Sequence, residues 1–266
     1  MALRWRTMSK DNLTYTSYLK VNELLSLQEP LSKPVAHDEL LFIVIHQVYE
    51  LWFKQVIFEL ESLVQNLDNV HFIQANRNLN RVTTIFRTLI QQIDILETMT
   101  TVDFNQFRSH LNPASGFQSM QFRELELLAG ADKSDYDKFS DLQPEWKKKL
   151  EDRIHKKNLR EAFIGLLQKQ KLIADSTEAE IVAGVHKVYA EEKHGHLRDL
   201  CEGLISFDEQ VQLWRFRHVQ MVERMIGMKK GTGGSLGVTY LQSTLKKKFF
   251  PELWQARTLM GSELNY

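Results

Sequence analysis

Residues 38–67 read DELLFIVIHQVYELWFKQVIFELESLVQNL, thirty positions that contain neither glycine nor proline. Apolar side chains recur along this stretch at spacings of three and four, which is the period of an α-helix. A second stripe, entirely aromatic, covers much of the remaining circumference, and a helix that is apolar on nearly all sides is a buried one. The sequence therefore predicts a long, buried helix. The two stripes consist of Leu41, Ile45, Val48, Trp52 and Val56, and of Phe42, Tyr49 and Phe53.

The rest of the chain also favours helices. The 266 residues include only 12 glycines and 5 prolines, the residues that favour turns, so turns are expected to be scarce. The strict alternation that is typical of β-strands is hard to find. We expect an all-α fold, with a single-domain helical bundle that spans residues 1–266. Helical spacing recurs over residues 72–98, 145–156, 159–172, 176–201 and 207–227.

An N-terminal arm, residues 1–34, precedes the first long helix. Pro30 and Pro34 interrupt the path into that helix, because proline removes a backbone donor and restricts the residue before it. Residues 13–27 nevertheless carry more apolar surface than a free tail would expose. The arm either folds back on its own subunit or crosses to another one, and the two prolines favour crossing.

Composition excludes several classes of protein. Lysine plus arginine equals aspartate plus glutamate, 34 against 34, so no overall charge points to nucleic acid or to an anionic membrane. The lone cysteine, Cys201, cannot form an internal disulfide, which is typical of a reducing compartment. The longest purely apolar run, Leu40 to Ile45, is far shorter than the ~20 residues that span a bilayer, and no secretory leader is apparent. We expect a soluble cytoplasmic protein.

The chain carries 9 histidines, so metal binding is the first chemistry to consider. A di-iron bundle needs Glu-x-x-His pairs on two helices, and Glu191 with His194 is the one such pair. Its neighbours are polar, which favours an exposed surface position. A non-haem di-iron bundle and a catalytically silent helical interaction protein both remain alternative interpretations.

Two other histidines lie within apolar helical stripes. His218 belongs to a stripe that includes Trp214 and Met221, and His46 lies one turn after Phe42. Each is either a core histidine or a ligand-binding one, since imidazole suits haem iron and an apolar wall suits the macrocycle. A glycine-rich segment at 231–237, GTGGSLG, follows the His218 helix. Four glycines exceed the need of a helix cap, so a loop that contacts a ligand is an alternative.

Four long stretches are similar to the haem-dependent tryptophan 2,3-dioxygenase family, and together they cover nearly 40% of the chain. The resemblance implies a helical bundle around a b-type haem, with one ferrous haem per subunit. The stretches are LTYTSYLKVNELLSLQEPL (13–31), HDELLFIVIHQVYELWFK (37–54), FRSHLNPASGFQSMQFRE (107–124) and LWRFRHVQMVERMIGMKKGTGGSLGVTYLQSTLKKKFFPELWQAR (213–257).

The resemblance also implies roles for individual residues. His218 would be the proximal ligand of the haem iron. His46 would be the distal, catalytic histidine that accepts a hydrogen bond from the indole N–H of the substrate. Phe42 would pack on the indole ring, and Arg108 would hold the substrate carboxylate as a bidentate pair.

Further positions match the family motifs more peripherally. Thr232, in the glycine-rich active-site loop at 229–237, would bind the amino-acid end of the substrate, with Leu111 nearby. Phe104 departs from the pattern, because some members have tyrosine there. The remaining matches are Ser115 and Gly116 at the haem edge, and Tyr15 and Leu19 in the pocket of a neighbouring subunit.

The activity implied by the resemblance is insertion of O2 across the indole C2–C3 bond of L-tryptophan. The product would be N-formyl-L-kynurenine, in the first step of tryptophan degradation by the kynurenine pathway. The family's assembly implies a homotetramer in which the arm is exchanged between subunits.

Overall fold

The computed structural model describes residues 13–133, 144–229, 231 and 237–260. These residues form twelve α-helices and no β-strand, so the predicted all-α fold is confirmed. In chain order the helices are α1 (Tyr15–Leu19), α2 (Val21–Leu24), α3 (His37–Asp68), α4 (Phe72–Leu96), α5 (Thr101–Phe107), α6 (Met120–Ala129), α7 (Pro144–Ile154), α8 (Leu159–Lys169), α9 (Glu178–Ala190), α10 (Gly195–Ile226), α11 (Val238–Ser243) and α12 (Pro251–Leu259).

Three long helices form the centre of the bundle. Helix α4 packs against both α3 and α10, while α6 and α8 cover α3 and α12 packs on α9. Large apolar side chains with no measurable exposure fill the space between the central helices and contribute most of the favourable burial. They include Leu60, Leu63, Phe86, Leu89 and Phe207.

The predicted boundary between the last two long helices was wrong. Helix α9 ends at Ala190, and α10 runs without interruption from Gly195 to Ile226. The sequence pattern places a break at 202–206, a segment that includes Gly203. A Cβ on Gly203 would come within 2.9 Å of Leu79 Cδ1. This glycine therefore permits a close approach of α10 to α4 rather than a turn.

Helix α3 is buried over only part of its length. Its C-terminal half carries most of its buried residues, but a stripe of apolar side chains along its outer face is exposed. The expectation that α3 is buried on all sides therefore fails for a single subunit, because no described element covers this stripe. The stripe consists of Leu40, Val44, Leu51 and Phe58.

Helix α3 is also apolar enough to meet a simple test for a membrane span. Its most apolar window has a mean hydropathy of 1.3, and it is the one described helix that passes by length and composition. The core helices of soluble proteins share both properties, so a single helix of this kind is weak evidence for a membrane.

Buried hydrogen bonds hold the beginning of α12 and the residues just before it against α10. The carboxylate of Asp208 accepts hydrogen bonds from the backbone N–H of Phe249 at 3.0 Å and of Phe250 at 3.3 Å. It also accepts one from Trp254 Nε1 at 2.9 Å. These bonds hold the start of α12 against α10.

The arm is tied to the bundle at its base and exposed beyond it. Gln47 Nε2 donates to the carbonyl of Leu27 at 3.0 Å, and Gln28 Nε2 donates to Gln47 Oε1 at 2.5 Å. Helices α1 and α2 pack mainly on each other, and Tyr15 is 77% exposed. The described part of the arm therefore leaves its apolar side chains available to another surface.

Candidate functional site

His46 and His218 lie close enough for the His46 imidazole to act electrostatically on His218. His46 lies on α3 and His218 on α10. Burial, together with a smaller effect of the nearby His46 imidazole, lowers the pKa of His218 to about 4. Burial also lowers the pKa of His46, although its side chain is reached by solvent. A side chain that is surrounded by protein and still accessible lines a concave site. The concave site at His46, on the side of His218, is called the recess. Because both pKa values are lowered, both imidazoles are neutral near pH 7.

A hydrogen bond fixes the tautomer of His46. Its Nδ1 lies 2.6 Å from the carbonyl oxygen of Phe42. A carbonyl only accepts, so Nδ1 carries the proton and donates. In the neutral ring, Nε2 is then left as an acceptor. The recess therefore presents a nitrogen that can accept a hydrogen bond from an N–H group.

Aromatic rings line the His46 side of the recess. The Phe42 ring lies 4.1 Å from the His46 ring, 5.7 Å from Phe104 and 5.6 Å from Phe107, measured between centroids. Phe104 and Phe107 are both buried in α5. Such spacings are those of packed aromatic pairs, and the wall suits a flat aromatic ligand.

The His218 side is also aromatic. Trp214, one turn earlier on α10, stacks on the His218 imidazole with centroids 5.2 Å apart and an interplanar angle of 6°. Trp214 in turn packs against Phe122 at 4.8 Å and Phe53 at 6.1 Å. This packing restricts rotation of the imidazole and keeps one orientation of His218 available to a ligand.

The 107–124 stretch begins at the aromatic rings, because Phe107 packs on Phe42. Arg108 opens a 3-10 turn, Arg108–Leu111, directly after Phe107. Ser115 caps a second 3-10 turn by accepting from the Phe117 N–H at 3.3 Å. Gly116 has no heavy atom within 4 Å of the place where a Cβ would lie. The backbone here is therefore open to close approach.

Two of the predicted site residues lie away from His46, and a third is outside the described residues. Tyr15 and Leu19 lie on the exposed arm, where α1 packs with α2. Thr232 is outside the described residues; Gly237, which is described, has a φ of +58° that favours glycine.

Glu50 is not among the residues that the sequence predicts for the site. This residue lies one turn after His46 on α3, and its carboxylate accepts hydrogen bonds from Ser119 Oγ at 2.6 Å and from Gln121 Nε2 at 2.8 Å. The spacing of four from His46 was visible in the sequence, but its partners lie about 70 positions away and carry no pattern.

The di-iron alternative gains no ligands from the fold. His194 Nε2 lies 3.6 Å from Glu191 Oε2 in the break between α9 and α10. Across the described ranges, no group of three histidine, cysteine or acidic side chains comes together as a metal site. This pair is therefore a local surface contact.

Comparison with known proteins assigns the family. The family model for tryptophan 2,3-dioxygenase matches residues 4–173 and 145–260, which together take in nearly the whole chain. The described residues already define an all-α protein with two neutral histidines that lie near each other and each pack against aromatic rings. The chain belongs to the tryptophan 2,3-dioxygenase family.

Curated relatives are similar over almost their full length. A tryptophan 2,3-dioxygenase from Herpetosiphon aurantiacus is 45% identical over 260 residues, which cover 92% of this chain and 97% of the relative. Another, from a Nocardioides species, is 46% identical over 252 residues, with 92% and 94% covered. A third, from Bacillus thuringiensis, is 40% identical over 262 residues, with 94% and 93% covered.

The lowered pKa of His46 makes stability depend on pH. The unfolded chain protonates this imidazole near its ordinary pKa of 6.5, while burial keeps it neutral to lower pH in the folded protein. The unfolded state therefore binds more protons below that pH, and the free energy of unfolding falls as the pH falls. Urea unfolding should show the wild type losing stability relative to His46→Gln between about pH 7 and pH 5. The neutral imidazole would be contradicted if the difference in free energy of unfolding between the two proteins did not change over this range. A change in favour of the wild type as the pH falls would contradict it too.

Proposed function

We propose that this protein is a haem-dependent dioxygenase that inserts O2 across the indole C2–C3 bond of L-tryptophan. The product is N-formyl-L-kynurenine, in the first step of tryptophan degradation by the kynurenine pathway. The observation that carries the proposal is a pair of neutral histidines, His46 and His218, that lie near each other and each pack against aromatic rings, in a chain of this family. Neither the di-iron interpretation nor the silent interaction protein accounts for that pair.

The residues on the His218 side fit one b-type haem per subunit. His218 would bind the iron, because a neutral imidazole is the form that binds metals and burial keeps this one neutral. The aromatic side chains around Trp214 suit an apolar macrocycle. Ser115 and Gly116 would line the haem edge, where Gly116 leaves room for a flat group. When bound, ferrous haem supplies the activation of O2.

His46 and Phe42 would hold the indole. The Nε2 atom of His46 accepts the hydrogen bond of the indole N–H, because Nδ1 is already committed to the Phe42 carbonyl. The Phe42 ring, held by Phe104 and Phe107, packs on the indole face. His46 is thereby the catalytic residue nearest the carbons that react, and it orients the indole for attack.

The other end of the substrate is polar. Arg108 would bind the carboxylate through its planar fork, and Thr232 would bind the amino-acid head through its hydroxyl and backbone. Leu111 packs against the core next to Arg108 and would border the side chain of the substrate. Phe104 replaces a tyrosine hydroxyl that some family members place here, so Arg108 carries a larger share of carboxylate binding.

The reaction balances without any further reagent. Both oxygen atoms of O2 end in the product, one on each former partner of the cleaved C2–C3 bond. The four electrons that O2 accepts come from the indole, so no external reductant is consumed. The protein must therefore bind, orient and exclude water, and the apolar walls around Phe42 serve that purpose.

The enzyme is proposed to be a cytoplasmic homotetramer, with no nucleic-acid or membrane partner. Two exposed apolar surfaces support assembly: the α3 stripe and the arm. In this assembly the arm, residues 1–34, crosses to a neighbouring subunit, where Tyr15 and Leu19 close the tryptophan pocket. A single domain, residues 1–266, then contains the whole bundle and the active-site loop at 229–237.

Replacement of His218 tests the haem ligand. His218→Ala removes the proposed iron–imidazole bond, so the purified protein should contain little haem and show a weak, shifted Soret band. His155→Ala, which changes an exposed histidine, should retain wild-type haem content. A full complement of haem with an unchanged spectrum in His218→Ala would rule out this assignment.

Replacement of Arg108 tests how the carboxylate is bound. Arg108→Lys keeps the charge and loses the planar fork, so the KM for tryptophan should rise by about 10- to 100-fold, equivalent to roughly 1.5–3 kcal/mol for a charged hydrogen bond. Arg77→Lys, on the exposed side of α4, serves as the matched control. The assignment fails if tryptamine, which lacks the carboxylate, is turned over as well as tryptophan.

Removal of the arm tests the shared pocket. A chain without residues 1–20 should assemble less tightly and bind tryptophan more weakly, while His218 still holds haem. Sedimentation analysis and optical titration with tryptophan measure the two effects. The double variant Tyr15→Ala, Leu19→Ala keeps the arm and should weaken tryptophan binding. Wild-type protein that is monomeric and fully active at dilute concentration would contradict the exchange.

A further inference from the structure

We propose that Glu50 is a positioning residue that fixes the haem-edge turn, residues 112–119, against the helix that carries Phe42 and His46. The proposal rests on the function proposed above, because it concerns the geometry of the same pocket. Glu50 does not itself touch the substrate. Its role is to set the distance between the surface that holds the indole and the turn that includes Ser115 and Gly116.

Three hydrogen bonds join Glu50 to the end of this turn and the start of α6. Ser119 Oγ donates to Glu50 Oε1 at 2.6 Å, and Gln121 Nε2 donates to Glu50 Oε2 at 2.8 Å. Gln121 Nε2 also lies 2.9 Å from the backbone carbonyl oxygen of Glu50. One residue of α3 thus engages two residues at the start of α6. Hydrogen bonds to a charged acceptor are stronger and shorter than neutral ones.

The location of these bonds makes them relevant to the site. Glu50 follows His46 by one helical turn, so both side chains lie on the same face of α3. Its carboxylate is close enough to act electrostatically on the His46 imidazole. Ser119 ends the haem-edge turn and also caps α6, by accepting from the Phe122 N–H at 3.4 Å. A displacement of Ser119 would therefore move Ser115 and Gly116 relative to His46.

Apolar packing alone would not fix this spacing. Beside these bonds, α3 and α6 meet through the rings of Phe53 and Phe122, whose centroids are 5.4 Å apart. Such contacts are non-directional and tolerate small sliding movements. The three hydrogen bonds to Glu50 are directional, because a hydrogen bond weakens steeply when its donor and acceptor are misaligned.

The same helix offers a matched control in Glu59. This carboxylate is also buried against a neighbouring helix, where it accepts from Asn78 Nδ2 at 2.6 Å and from Arg81 at 2.7 Å. It also accepts from Gln55 Nε2, one turn earlier on α3, at 2.8 Å. None of these three partners belongs to the proposed site. Loss of Glu59 should lower stability without altering the pocket, which separates a general structural role from a positioning one.

A double-mutant cycle on the haem-loaded protein tests the proposal. Glu50→Ala, Gln121→Ala and the double variant should retain wild-type haem content. Each should raise the Kd for tryptophan, measured by optical titration of the haem, by about 3- to 10-fold. Because Glu50 and Gln121 form one connection, the double variant should have a Kd for tryptophan no higher than that of the single variant with the higher Kd. The KM should rise in parallel, with kcat changed less.

Two further variants sharpen the test. Glu50→Gln keeps one acceptor oxygen, so its Kd for tryptophan should lie between those of wild type and Glu50→Ala. Glu59→Gln should lower the melting temperature and leave the Kd unchanged. Wild-type Kd values in both single variants, additive effects in the double variant, or an equal rise in Glu59→Gln would overturn the role of Glu50. Failure of the wild-type protein to bind haem and tryptophan would instead overturn the proposed function, and this inference with it.

Discussion

Helix α4 packs against both α3 and α10, and the relative position of His46 and His218 depends on this shared contact. The contact is close on the α10 side because Gly203 lies against Leu79, where any side chain would push the helices apart. On the α3 side, buried side chains such as Leu60 fill the space completely. His46 and His218 are therefore carried by two long helices that are both packed on a third.

Burial then determines the chemistry of the two histidines. Desolvation disfavours the charged imidazole, so both rings remain neutral near pH 7. The hydrogen bond from His46 Nδ1 to the Phe42 carbonyl selects one tautomer and leaves Nε2 as an acceptor. The stack of Trp214 on His218 orients the other ring. Neutral rings with fixed orientation suit an iron ligand on one side and an indole N–H acceptor on the other.

The sequence predicted the helices well where periodicity was strong, as in α3 and α4. The site roles of Phe42, His46 and His218 came from the resemblance to a family rather than from spacing, and they stay predictions. The sequence did not mark the close approach at Gly203, because a glycine in a helix has the same letter whether it marks a turn or a close approach. Glu50 escaped notice for a related reason: its partners are distant in sequence, and long-range hydrogen bonds leave no periodic signal. The sequence predicted a buried α3 and did not reveal its exposed stripe, because apolar positions look alike whether they face a core or lie on the surface of the subunit.

The fate of O2 tests the central claim most directly. Purified, haem-loaded protein is mixed with L-tryptophan under 18O2, and the product is examined by mass spectrometry. The account predicts N-formyl-L-kynurenine that carries two heavy oxygen atoms, with one O2 consumed for each tryptophan and no added reductant. A product with one labelled oxygen, or turnover that requires a continuous supply of electrons, would contradict it.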